Sequence, residues 1–194
     1  CTCLRVQHQH IPDYEEISHL VISGSEASIT EKYPWYEYLE NVLKEIIESG
    51  KPVLGICYGH QFLARTLIGT HSVRKSLTPE FGWMPVKLMT NPLFRGITEP
   101  VFMLSHYDEV AFLNNDFLPV ATSELCRIHG FQIKGKPVWG IQFHPEYGMA
   151  EADEIFRLIQ EYDPKFDGYF YKNDVTEEII AQNEKIFSNF LSVR

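Results

Sequence analysis

The residues most able to do chemistry begin with Cys57, which stands between Gly55 and Gly59 in the stretch GICYGHQ. A short apolar run over 53–56 precedes the cysteine, and an amphipathic helical pattern follows it as far as Gly69. This spacing predicts a nucleophile elbow, a sharp strand-to-helix turn in which glycines let the two elements approach closely. A helix N-terminus favours the thiolate form of such a cysteine, because its dipole and free amides stabilise negative charge. The alternative is a small buried core residue.

A second candidate group, His144 and Glu146, lies in the stretch GIQFHPE. Pro145 favours an extended conformation for His144, and residues two apart in an extended chain point to the same side. A hydrogen bond to Glu146 would fix one imidazole nitrogen as a donor and leave the other to exchange protons with Cys57. The alternative for this stretch alone is a structural histidine in a solvated turn. Together the two stretches predict a triad of cysteine, histidine and glutamate.

The elements that must position these residues follow a β-α-β order. An apolar strand over 17–22 breaks at the small residues 23–25, and a helical pattern then runs from Tyr33 to Ser49. This order predicts a parallel sheet, in which ligands bind at the carboxyl ends of the strands. After Gly69, short alternating segments separated by turn residues extend to Phe143, and they predict a smaller, partly antiparallel addition.

The N-terminal segment 3–9 has the alternation of a strand. It raises the alternative of a metal site, because four potential ligands lie on or beside it: Cys1, Cys3, His8 and His10. Their spacing is unlike that of a zinc finger or ribbon, so no metal site is predicted.

The C-terminal part carries two helical patterns, over 152–159 and 175–191. Asp174, with Glu177 three residues later, predicts a capping box at the start of the second helix. The aromatic and glycine-rich segment 162–173 lies between the two patterns. It is interpreted as a packed loop, with a lid or a partner surface as the alternative.

Composition sets limits on the class of protein. A chain of 194 residues that is 44% hydrophobic can bury one sizeable core, which predicts a single domain over 1–194. The net charge of −9 argues against binding to nucleic acid or to an anionic membrane face. The sequence has neither an apolar run long enough to span a bilayer nor a signal-peptide pattern. Its four cysteines do not resemble a disulfide framework, so a cytoplasmic setting is expected.

The two motifs, in this order, resemble those of the class I glutamine amidotransferases, and the resemblance covers the chain from Ile17 to its end. It implies a flavodoxin-like three-layer α/β fold, with a central mainly parallel sheet, helices on both faces and a small antiparallel addition. It also implies that Cys57 is the nucleophile, that His144 and Glu146 complete the triad, and that no cofactor is needed. The first strand and helix of the family have no counterpart before Cys3.

The resemblance extends to the oxyanion hole and to the substrate pocket. The family's Ser-Gly-Gly-Pro loop corresponds to Ser23-Gly24-Ser25, so the backbone amides of Ser25 and Tyr58 are expected to hold the oxyanion. A serine in place of the second glycine keeps the amide donor. Further expected substrate contacts are Gly24, Gln61, His106 and Asp108. The last two lie in SHYDEV, which is similar to a segment of the guanylate synthase amidotransferase domain, and a hydrogen-bonded turn is their alternative role.

The function implied by this resemblance is hydrolysis of glutamine to glutamate and ammonia through a γ-glutamyl thioester. The chain has no Gly-x-x-x-x-Gly-Lys phosphate-binding run, so the ammonia would pass to a partner synthase in trans. One alternative is a stand-alone γ-glutamyl peptidase, and a second is a catalytically silent regulatory or binding module.

Overall fold

The computed structural model describes residues 2–10 and 13–194. The strands are β1 (Leu20–Ile22), β2 (Val53–Ile56), β3 (Val73–Pro85), β4 (Lys87–Leu88), β5 (Val101–Val110), β6 (Phe117–Thr122), β7 (Gly130–Ile133), β8 (Val138–Ile141) and β9 (Phe170–Tyr171). The α-helices are α1 (Tyr36–Glu48), α2 (Tyr58–Ile68), α3 (Met149–Tyr162), α4 (Glu177–Ala181) and α5 (Lys185–Leu191). Within the two described ranges, no helix has both the length and the apolar character needed to cross a membrane.

The larger sheet has six strands in the order β1-β2-β8-β7-β6-β4. Its first three strands are parallel, with Gly55 of β2 paired to Ile22 of β1 and to Gly140 of β8. Strands β7, β6 and β4 continue the sheet in antiparallel fashion. Because the three parallel strands end in register, the segments that follow β1, β2 and β8 leave the sheet at one edge, as predicted for a site of this kind.

Helices cover both faces of the parallel strands. Val53 and Val138 share one core cluster with the apolar faces of α1 and α2, whereas Leu54 and Trp139 share another with α5. The buried face of α1 consists of Val42, Leu43, Ile46 and Ile47. Each such side chain contributes about 1.5–3 kcal/mol on removal from water. Gly50, just after the helix, has a positive φ of 78°, a conformation that glycine adopts readily at a helix C-terminus.

The smaller sheet has three strands in the order β5-β3-β9. Strands β3 and β5 form a long antiparallel pair whose register shifts between Lys75 and Glu80. Helix α3 packs on this sheet through Phe156 and Ile159, which share a core cluster with Phe81 of β3. The small antiparallel addition predicted after Gly69 is therefore this second layer, together with the antiparallel half of the larger sheet.

Two predictions about local structure are wrong. Segment 3–9 is not a strand: it contains the short 3-10 helix Val6–His8, which has no buried residue. Alternation alone cannot make a strand where no neighbouring strand supplies a hydrogen-bonding ladder. The last helical region begins at Glu177 rather than at Asp174, because the side chain of Thr176 accepts the hydrogen bond from the amide of Ile179.

Segment 162–173 is packed, as interpreted from the sequence. Phe166 is buried in the core cluster of α3, and β9 pairs with Phe81 and Gly82 of β3. The hydroxyl of Tyr107 donates a hydrogen bond to Asp163 and so ties the end of α3 to β5.

Candidate active site

Cys57 occupies the sharp turn between β2 and α2, and it is held in a strained backbone conformation, with φ 50° and ψ −102°. A positive φ at a residue with a side chain costs on the order of 1–3 kcal/mol and persists only where the surroundings enforce it. The two flanking glycines permit the turn. A Cβ on Gly55 would lie 2.4 Å from the carbonyl oxygen of Gly59, and a Cβ on Gly59 would lie 2.1 Å from that of Ile22. The predicted elbow is therefore present.

The environment of the Cys57 side chain suits a reactive thiol. Its backbone amide donates to the carbonyl of Ile141 at 2.8 Å, which fixes the cysteine at the end of the central strands. Its Sγ lies 3.8 Å from the carbonyl oxygen of Ser105. The residue is largely buried but lines a cavity, and it directly precedes the N-terminus of α2, whose dipole stabilises a thiolate.

His144 and Glu146 are brought together as predicted. Nδ1 of the imidazole lies 2.6 Å from Oε1 of Glu146. The amide of His144 donates to the carbonyl of Met103 at 2.9 Å, which fixes the histidine against β5. Burial by itself lowers the pKa of His144, but the charge and hydrogen bonding of the Cys57 thiolate and of Glu146 outweigh burial and raise it to about 10. An imidazolium facing a thiolate is the ionic arrangement that this environment favours.

The cavity beside Cys57 has a volume of about 390 Å³, which lies in the range of small-molecule sites. Its walls differ in chemistry. One set of lining residues is polar or charged: Ser25, Glu26, Ser28, Lys75 and Asp108. The other set is apolar or aromatic: Phe81, Met103, Tyr107, Tyr147, Ile155, Leu158, Ile159 and Tyr162. A ligand with one charged end and one apolar end would match both sets.

The loop after β1 lies next to the triad. A Cβ on Gly24 would lie 2.9 Å from Cε1 of His144 and 3.6 Å from Cβ of Cys57, so glycine provides the room for the imidazole. Ser25 lines the cavity, and Tyr58 is the first residue of α2. In the part of the chain that the structure describes, the amides of Ser25 and Tyr58 donate to no backbone carbonyl. Both amides therefore remain available as oxyanion donors.

Gln61 lines the cavity, but its side-chain nitrogen is committed to the protein. Nε2 donates to the backbone carbonyl of Asp108 at 2.7 Å and to Oε1 of Gln142 at 3.0 Å. These bonds fix the orientation of the carboxamide. The expected role of Gln61 as a substrate contact stays a prediction.

Asp108 also lines the cavity, and it anchors the loop after β1. Its Oδ2 accepts hydrogen bonds from Oγ of Ser28 at 2.6 Å and from the amide of Ile29 at 3.0 Å. Asp108 and His106 belong to β5, so the hydrogen-bonded turn considered for them is wrong. The structure gives Asp108 a positioning role, because it holds the loop that carries Ser25.

His106 belongs to a buried polar cluster rather than to the open part of the cavity. Glu80 accepts hydrogen bonds from Nε2 of His106 at 3.0 Å and of His129 at 2.9 Å. Burial by itself raises the pKa of Glu80, but these two hydrogen bonds hold it well below its usual range. The ligand atoms of the three residues lie within 4.8 Å of one another, close enough for a metal ion. Their mutual hydrogen bonds account for the arrangement without one.

Two features of the site were missed from the sequence. Lys75 comes from β3 and lies against Asp108, and Tyr147 places its ring 5.2 Å from that of His144. Tyr147 directly follows Glu146, so its position could have been anticipated. Lys75 gave no such signal, because only the pairing of β3 with β5 brings it to the cavity.

A family model described as glutamine amidotransferase class-I matches residues 2–159 of the chain. The chain therefore belongs to the class I glutamine amidotransferases, as the two motifs predicted, and its flavodoxin-like α/β fold is confirmed. Membership of this family implies an amidotransferase or amide hydrolase activity.

The chain is similar to several GMP synthases. It is 39% identical over 173 residues to the glutamine-hydrolyzing GMP synthase of Caldicellulosiruptor saccharolyticus, a match that covers 88% of this chain and 32% of that protein. It thus spans about a third of the length of that relative. It is 36% identical over 148 residues to one separate chain of the glutamine-hydrolyzing GMP synthase of Thermoplasma acidophilum, covering 75% of this chain and 72% of the other.

Among solved structures, the fold resembles that of a glutamine amidotransferase from Thermotoga maritima. The TM-score is 0.73 at 26% sequence identity, over 94% of this chain and 81% of the other.

Proposed function

We propose that this protein hydrolyses glutamine to glutamate and ammonia through a γ-glutamyl thioester on Cys57. The observation that carries the proposal is the 2.6 Å contact between Nδ1 of His144 and Glu146, beside a cysteine held in a strained turn. The Cys57 thiolate attacks the side-chain amide carbon, and the C–N bond breaks as ammonia leaves. Water then attacks the thioester, and the C–S bond breaks as glutamate leaves.

His144 carries the protons in both steps. Because its pKa is raised to about 10, it is an imidazolium near neutral pH and can protonate the departing ammonia. The neutral imidazole that remains takes a proton from the attacking water, which restores the imidazolium when the thiolate departs. Glu146 keeps Nδ1 as the donor throughout, so the other ring nitrogen faces the reacting atoms.

The developing oxyanion is held by the amides of Ser25 and Tyr58. Support comes from the free state of both amides and from the anchoring of the Ser25 loop by Asp108. Removal of one donor in comparable sites costs about 3–4 kcal/mol. Gly24 contributes by leaving room for the imidazole of His144.

The ammonia is proposed to pass to a synthase acting in trans. The support is the similarity to the Thermoplasma acidophilum protein, whose name describes it as one component of a glutamine-hydrolyzing GMP synthase. A pull-down with a candidate synthase, followed by measurement of glutamine-dependent product formation, tests this proposal.

A second candidate function is hydrolysis of γ-glutamyl amides that carry an apolar substituent. The apolar wall of the cavity favours it, because glutamine itself offers no large apolar group to that wall. Ile155, Leu158, Ile159 and Tyr162 recur on one face of α3 and line the cavity. Measuring kcat/KM for glutamine and for γ-glutamyl anilide separates the two functions: a clear preference for the anilide favours the second.

The decisive experiment is ammonia release from glutamine by the unaltered protein and by Cys57→Ala. Loss of the nucleophile should reduce turnover by about four orders of magnitude or more. Cys3→Ala removes an exposed cysteine outside the site and should retain full turnover. Equal turnover in Cys57→Ala and in the unaltered protein would show that the assignment is wrong.

The alternative of a silent module is tested by labelling. A diazoketone analogue of glutamine should modify Cys57 and leave Cys3 unmodified, because only Cys57 lies in a glutamine-sized cavity. Iodoacetamide, which needs no such cavity, should label the exposed Cys3. If the analogue fails to modify Cys57, the protein is not a glutaminase.

A further inference from the structure

Lys75 provides positive charge at the cavity of Cys57. Among the described residues that line this cavity, it is the one with a lysine or arginine side chain. The other lining bases, His106 and His144, are already paired with Glu80 and Glu146. The Lys75 side chain is 60% exposed, so a ligand entering the cavity can reach its ammonium group.

The backbone fixes the position of Lys75. It stands directly opposite Asp108 in the antiparallel pairing of β3 with β5, where facing side chains share one side of the sheet. The ammonium nitrogen lies 3.0 Å from Oδ1 of Asp108 and donates a hydrogen bond to Oγ of Ser28 at 2.9 Å. Oδ1 of Asp108 has no hydrogen-bond partner, so the 3.0 Å contact is an ion pair without hydrogen-bond geometry. An ammonium group has three N–H donors, and Ser28 takes only one of them.

The charges around the cavity show why this cation matters. Glu26 and Asp108 both line the cavity, and their carboxylates repel any further anion. The α-amino acid end of glutamine carries an α-carboxylate, which can enter beside them only if a cation compensates. Lys75 stands where it can do so without leaving Asp108, because its uncommitted N–H groups can serve a second carboxylate.

We propose that Lys75 binds the α-carboxylate of the γ-glutamyl substrate and so makes the site specific for amides with a free α-amino acid end. This inference rests on the proposed function, since it assumes that Cys57 acts on a γ-glutamyl amide. Lys75 is a specificity-determining residue in this arrangement, and it does not take part in the bond-making steps.

The test compares l-glutamine with l-glutaminamide, in which the α-carboxylate is replaced by a neutral amide. Both ligands are titrated calorimetrically into the Cys57→Ala protein, with and without Lys75→Met, so that the result does not depend on turnover. Loss of Lys75 should weaken glutamine binding by roughly tenfold to a hundredfold. It should change glutaminamide binding by less than about threefold, because no carboxylate is lost from that complex.

Control variants separate recognition from folding. Lys75→Arg keeps the cation and should retain most of the glutamine affinity, whereas Lys44→Met removes an exposed lysine of α1 and should have no effect. If Lys75→Met weakens both ligands equally, Lys75 only holds Asp108 and Ser28 in place, and the inference is wrong. If glutamine and glutaminamide bind the Cys57→Ala protein equally well before Lys75 is changed, the inference is also wrong. Failure of the proposed function would appear separately, as absent turnover in the unaltered protein.

Discussion

Replacement of Glu146 tests the proton-transfer arrangement most directly. Its Oε1 accepts a 2.6 Å hydrogen bond from Nδ1 of His144, and its side chain is 29% exposed. A hydrogen bond to a charged group is worth about 1.5–3 kcal/mol, and partial exposure to solvent places this one in the lower half of that range. Glu146→Ala should therefore reduce kcat/KM for glutamine by about 10- to 30-fold. Glu146→Gln keeps an acceptor oxygen and should lose less.

The pH dependence of turnover gives an independent readout. The charge and hydrogen bond of Glu146 help to raise the pKa of His144 to about 10, so the imidazolium persists far above neutral pH. Removing Glu146 lowers that pKa, and the alkaline limb of the kcat/KM profile should move to lower pH in both variants. Glu154→Gln makes the same chemical change on the exposed face of α3 and should leave the profile unaltered. If Glu146→Ala stays within about threefold of the unaltered protein with an unchanged alkaline limb, the proposed role of Glu146 is refuted.

Two further changes test the packing around the site. Gly24→Ala places a Cβ 2.9 Å from Cε1 of His144, so kcat/KM should fall roughly 10- to 100-fold while the melting temperature changes little; full activity would show that the imidazole tolerates displacement. Glu80→Gln removes the carboxylate that holds His106 and His129, and urea denaturation should show a loss of about 3–5 kcal/mol. Because the pKa of Glu80 is depressed in the folded protein, its contribution is complete above the unfolded-state value of about 4.3 and is lost as the pH falls below it. The variant should therefore lose less stability than the unaltered protein between neutral and acid pH, and an identical acid dependence would contradict this account.

The sequence was sufficient to predict the parts of the site that local chemistry specifies. The elbow around Cys57 depends on glycines within two residues of it, and the contact between His144 and Glu146 depends on an extended dipeptide step. Both requirements are written in consecutive residues, so both could be recognised before any fold was known. The β-α-β order likewise predicted that Cys57 and His144 would meet at the carboxyl ends of neighbouring parallel strands.

The parts that could not be predicted depend on contacts between distant segments. Lys75 reaches the cavity only because β3 pairs with β5 in one register, and that register shifts a few residues later. The placement of His106 against Glu80 and His129 has the same origin, since the three residues come from β3, β5 and the segment before β7. Alternation in the sequence indicated strands in these regions but not their partners. The same limitation produced the wrong strand over 3–9.

The double role of Asp108 has a practical consequence for altering the selectivity of this protein. Its carboxylate holds Ser28 and Ile29, while its backbone carbonyl holds Gln61 on the nucleophile helix. Redesign of the segment after β1 would therefore disturb the alignment of the reactive sulfur as well as the shape of the entrance. Helix α3 offers a safer place to enlarge the entrance, because Leu158 reaches the same space from an element that takes no part in those hydrogen bonds.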